Sequence, residues 1–82
     1  MELVDEVEAV LSEAFPPPDK IELEMRDGII GAVVSARFEG LESYDRMKMI
    51  WNILREKLPR EKHRRVVMIV AATPDEEIAY SA

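Results

Sequence analysis

Between Val33 and Leu58 the hydrophobic period of the chain changes within a few residues from that of a strand to that of a helix. A stretch rich in β-branched residues stops at Phe38-Glu39-Gly40, and Gly40 is expected to let the chain turn sharply away from a sheet. Ser43 is predicted to cap a long helix whose Met47, Ile50, Trp51, Leu54 and Leu58 form a broad apolar stripe. Pro59 ends that helix, because proline lacks the amide hydrogen that a helix interior requires. Any fold for this chain must place a strand and a helix side by side across a turn of a few residues.

The rest of the chain supplies partners for both. Leu3, Val7, Val10, Leu11 and Ala14 recur at three- and four-residue spacing, which predicts an amphipathic helix stopped by Pro16-Pro17-Pro18. From Lys20 to Arg26 the pattern alternates strictly, with Ile21, Leu23 and Met25 on one face and Glu22 and Glu24 on the other, as a half-buried strand requires. Asp27-Gly28 reads as a two-residue hairpin turn. That turn pairs Met25 with Ile30, Leu23 with Ala32 and Ile21 with Val34, and puts Ile29 and Val33 on the sheet face away from the helices, as an exposed patch suited to dimerisation or as ordinary surface aliphatics. The second strand is expected to run from Ile29 to Phe38. Val66 to Ala72 is an uninterrupted apolar run of strand length, suited to an interior place or to parallel pairing through the preceding helix. Thr73-Pro74-Asp75-Glu76 combines an N-cap, a first-turn proline and a capping-box glutamate, so a last helical turn starts there. The order is α-β-β-α-β(α), which predicts an α+β two-layer sandwich: a three-stranded mixed sheet with the helices on one face, in a single domain over residues 1–82.

A domain of 82 residues buries only about 60–65% of its unfolded surface, which leaves little for an enclosed active-site cavity and favours a binding module over an enzyme. No serine, histidine and acid arrangement, phosphate-binding loop or paired carboxylates can be assembled. No apolar run reaches the roughly 20 residues of a membrane span, and the N-terminus alternates acids with aliphatics, so a soluble, cytoplasmic chain is expected. With no cysteine, the chain has no thiolate of its own for a zinc or iron–sulfur site. The net charge of −6 hides a segregation: residues 1–25 hold eight acids and one base, whereas residues 55–65 hold six bases against two acids. One end of the domain is expected to be basic.

The strand Val33-Val34-Ser35, the Phe38-Glu39-Gly40-Leu41 turn, Arg46 and Lys48 in the helix, Trp51, and Thr73-Pro74 after the last strand resemble, in order and spacing, the signature of the BolA-like family. The resemblance covers about residues 4–76, and it implies an arrangement similar to the type II KH domain of nucleic-acid-binding proteins. It further implies an adaptor that binds a protein, typically a monothiol glutaredoxin in iron–sulfur or iron-homeostasis work, with a [2Fe–2S] cluster shared between the two chains and none bound by this chain alone. In the family a histidine or cysteine in a long loop between the first two strands, and a histidine just before the last strand, help to hold that cluster. Here the loop is only Asp27-Gly28, and Met47 replaces the histidine of the family's Arg-His-Arg helix motif. For the second ligand, counting forward from Leu58 reaches His63, and counting backward from Thr73-Pro74 reaches Arg65.

His63, the single histidine, therefore carries two readings: a metal ligand in a cluster completed by a partner, or an exposed loop residue among Lys62, Arg64 and Arg65. Arg46, Lys48, Arg60, Lys62, Arg64 and Arg65 are the candidates for contact with a protein or nucleic acid, since arginine pairs bidentately with phosphate or carboxylate. The bland reading of the basic run is a solvated helix end that complements the helix dipole. A KH-like nucleic-acid-binding or regulatory domain is the alternative function, although the Gly28-Ile29-Ile30-Gly31 string opens a hairpin, unlike the helix-joining loop with which KH domains grip a backbone. No membrane partner is expected, and the chain reads as a monomer or weak homodimer.

Overall fold

A computed structural model describes the backbone of residues 2–81 and the side chains of residues 2–77. The elements are α1 (Leu3–Ala14), β1 (Lys20–Arg26), β2 (Gly28–Val34), a 3-10 turn (Ala36–Phe38), α2 (Ser43–Lys57), α3 (Arg60–His63), β3 (Val66–Ala72) and α4 (Pro74–Ser81). The strands form one sheet in the order β1-β2-β3, with β1 antiparallel and β3 parallel to β2. Val7 and Leu11 of α1, Ile50 and Leu54 of α2, and Ile29 and Val33 of β2 fall in one buried cluster, so both long helices cover the same face of the sheet. Each of these side chains, fully withdrawn from water, contributes about 1.5–3 kcal/mol. The predicted α+β two-layer sandwich is the observed architecture.

The ends of α1 and β2 are tied together by residues that look unremarkable in sequence. At Pro16 α1 stops, and Arg37 Nη1 donates to the Ala14 carbonyl at 2.6 Å while its guanidinium lies 4.8 Å from the centre of the Phe15 ring. Phe15 in turn packs on Phe38 at 5.4 Å between ring centres. An otherwise orphan carbonyl at the helix end is thereby satisfied. Thr73 and Glu76 form the predicted capping box: Thr73 N donates to Glu76 Oε1 at 2.8 Å, and Glu76 N donates to Thr73 Oγ1 at 3.3 Å.

Several sequence expectations are corrected. The hairpin is one residue tighter than a two-residue turn: Arg26 pairs with Gly28 across Asp27 alone, and Gly28 adopts a φ of +125° that side-chain-bearing residues avoid. Every pairing shifts with it, so Met25 lies opposite Ile29, Leu23 opposite Gly31 and Ile21 opposite Val33. Because a one-residue slip exchanges the faces of a strand, Ile29 and Val33 are fully buried beneath the helices and form no exposed patch. β2 ends at Val34, short of Phe38: the amide of buried Ser35 still donates to the Ala72 carbonyl of β3, but its hydroxyl donates to Asp19 Oδ2 at 2.8 Å and accepts from Arg37 N at 3.1 Å, capping the 3-10 turn that follows. Glu42, in place of Ser43, holds the N-cap of α2 and offers its backbone carbonyl to Arg46 N without a side-chain bond. Met47 is 46% exposed and lies outside the core stripe. Of the two places expected for β3, the parallel pairing is the observed one and the interior place is not: β3 is an edge strand with Val67, Met68 and Val70 exposed.

Candidate partner-binding site

Beyond α2, Pro59 starts a single further helical turn: the amides of Lys62 and His63 donate to its carbonyl at 2.9 and 3.0 Å. His63 is the last residue of α3 and is half-buried, so it is not a loop residue. The chain then turns through exposed Arg64 and Arg65 into β3. Ile29 N donates to the Arg65 carbonyl at 2.9 Å, which staples this turn to the start of β2 beside the hairpin tip at Asp27. Arg65 is thereby set beside the hairpin at one end of the sheet, with Arg64, His63 and Arg60 preceding it along the chain.

The other candidates divide differently. Lys62 Nζ bonds Glu6 Oε1 of α1 at 2.6 Å, so one acid of the N-terminal helix neutralises part of the basic run. Lys48 stands on the exposed side of α2 with Asp45 at 3.5 Å and the Tyr44 ring centre at 4.8 Å. Arg46 is drawn inward and is only 13% exposed at its side chain. Its guanidinium donates to the carbonyls of Leu41 (2.9 Å) and Ala71 (3.2 Å) and bidentately to Glu76 (2.6 and 3.2 Å), and it lies 5.9 Å from the centre of the Phe38 ring. These contacts clamp α2, the end of β3 and α4 together. Hydrogen bonding from Arg46, then from the Thr73 amide, holds the Glu76 carboxyl down to about 2, and the same pairing raises the Arg46 guanidinium.

Arg46 therefore sits at the C-terminal end of β3 and Arg65 at its N-terminal end. Six residues of extended chain separate them from Ala71 to Arg65, roughly 20 Å, so the structure does not bring Arg46 and Lys48 onto one surface with residues 60–65. The clamp was half legible in the sequence: the capping box was readable, but nothing local marks Arg46 as the second partner of Glu76. Gly28-Ile29-Ile30-Gly31 lies in the hairpin and β2, with Ile29 in the core.

Among the described residues no group of three or more histidines, aspartates or glutamates could hold a metal ion, and the sequence has no cysteine. A [2Fe–2S] cluster takes four protein ligands, so the donor set fits at most one ligand position here, that of His63. β3 carries a bulge between its pairings with Ile29 and Ile30, where Val67 is the extra residue.

No family model matches the chain, and no curated protein sequence matches it. Among solved structures, BolA1 from Arabidopsis thaliana matches with a TM-score of 0.68 and 21% sequence identity, over 93% of this chain and 96% of that one. The match spans nearly the whole of both chains, and the chain has the BolA-like fold to which its strand-to-helix junction pointed.

Proposed function

We propose that this chain is a non-catalytic BolA-like adaptor of the cytoplasm that binds a protein partner, a monothiol glutaredoxin in iron–sulfur or iron-homeostasis work, through the end of the sheet where His63, Arg60, Arg64 and Arg65 meet. One observation carries the reading: the turn that holds a half-buried imidazole between exposed cations is pinned to β2 by the Arg65 carbonyl. A surface held in this way loses little freedom on binding. His63 would supply one ligand to a cluster whose remaining ligands come from the partner. The KH-like alternative, which uses the basic 55–65 region together with Arg46 and Lys48, is weaker, because Arg46 and Lys48 lie at the far end of β3 from Arg65 and Arg46 is already engaged by Glu76.

A titration of cluster-loaded monothiol glutaredoxin with this chain separates ligation from binding. The expected result is a change in visible circular dichroism that disappears with His63→Ala. Binding followed by calorimetry is expected to weaken by about tenfold with Arg64→Glu and Arg65→Glu together. An unchanged visible spectrum rejects the shared cluster, and an absence of binding heat rejects the partner.

A further inference from the structure

The two edges of the sheet are guarded very differently. β1 carries four charges in seven residues, Lys20, Glu22, Glu24 and Arg26, which is how natural sheets discourage pairing with another chain. β3 carries none. Of the six large apolar side chains most exposed among the described residues, three lie on β3: Val67, Met68 and Val70. The backbone of β3 is also available. Ala72 turns its carbonyl to β2, accepting from Ser35 N at 2.9 Å, whereas Ala71 turns its carbonyl outward to Arg46. By the alternation of an extended strand, Ile69 also directs its amide and carbonyl outward.

Charge at the two ends of β3 selects the occupant and its direction. Arg64 and Arg65 precede the strand; Asp75, Glu76 and Glu77 follow it. Glu76 is engaged by Arg46 and Glu77 by Lys20, but Arg64, Arg65 and Asp75 have no ion-pair partner among the described residues. A strand with free cations at one end, a free acid at the other and no charge between is complementary to itself when reversed. Parallel pairing would set like charge beside like.

We propose that the outer edge of β3 pairs antiparallel with β3 of a second copy of this chain, about a two-fold axis near Ile69, joining two three-stranded sheets into one continuous sheet. Ile69 then faces Ile69 of the second copy and Met68 faces Val70 across the axis, while Arg64 and Arg65 approach the acidic start of α4 of the second copy. Such an interface is isologous. The bulge at Val67 and the Arg46 contact at Ala71 limit the paired stretch to its centre, so the dimer is weak.

Sedimentation velocity up to millimolar concentration tests the pairing with the chain alone. The unmodified chain is expected to show a reversible monomer–dimer equilibrium. Met68→Lys with Val70→Lys sets like charges directly opposite across the axis, and is expected to raise the dimer Kd by about tenfold or more. Met68→Glu with Val70→Glu is expected to do the same, and a mixture of the lysine and glutamate variants to form a heterodimer. Far-ultraviolet circular dichroism establishes that each variant is folded before it is scored. A chain that stays monomeric at the highest concentration overturns the proposal, as does a dimer that survives both variants or a mixture that does not associate.

Discussion

Four hydrogen bonds leave the Arg46 guanidinium, two to backbone carbonyls and two to Glu76. The pairing holds the Glu76 carboxyl at about 2, below its ordinary 4.5. A carboxyl depressed in the folded state stabilises the fold fully above its unfolded pKa and loses that contribution as the pH falls through the folded value. Between pH 4.5 and 2 the chain is therefore expected to lose stability more steeply than Glu76→Gln, whose side chain does not ionise; urea midpoints at a series of pH values give the comparison. Gly31 illustrates a different constraint. A Cβ there would collide with the Glu22 carbonyl oxygen and the Leu23 side chain, since Leu23 leans across the place that glycine leaves open. With backbone on one side unable to yield, Gly31→Ala is expected to cost about 1–3 kcal/mol in denaturant unfolding. Neither residue announces its role locally. Arg46 reads as a solvent-facing base in a helix motif, and its partner lies thirty residues away.

The hairpin shows where pattern reading reaches its limit at the scale of an element. β1 alternates apolar and charged residues, so its buried face was legible at once. β2 reads Gly-Ile-Ile-Gly-Ala-Val-Val and is apolar on both faces, so either register gives Ile21, Leu23 and Met25 mostly apolar neighbours. The tighter turn at Asp27 and the space above Gly31 select the register that sends Ile29 and Val33 inward. Alanine scanning distinguishes the two faces: Ile29→Ala is expected to cost about 2–5 kcal/mol, as a cavity in a packed core does. Ile30→Ala, on the half-buried open face, should cost clearly less in the same measurement. Helices were easier to read, because α1 and α2 have wide apolar stripes and proline stops. Even so, Met47 fell outside the core, since the edge of such a stripe depends on how the helix is rolled against the sheet.

Across the whole molecule, charge is organised about the sheet. The net charge is −6, yet Arg60, Arg64 and Arg65 stand exposed at one end of it. For a partner presenting acids to that end, the association rate is expected to fall as salt is added while dissociation changes little, which stopped-flow measurements at increasing ionic strength would record. Loss of the salt dependence in Arg64→Glu with Arg65→Glu would locate the steering field. The sequence alone determined the two long helices, the three strands and the last helical turn, the single apolar layer between them and the absence of any thiolate, because periodicity, prolines and composition act locally or add along the chain. Only the tertiary structure decided which face of β2 is inside, that Arg46 and Lys62 are held by acids of distant segments, and that the turn at Arg65 is bonded to the start of β2. Those outcomes depend on a one-residue register and on contacts between residues far apart in the chain, which only the assembled sheet and its helices bring into reach.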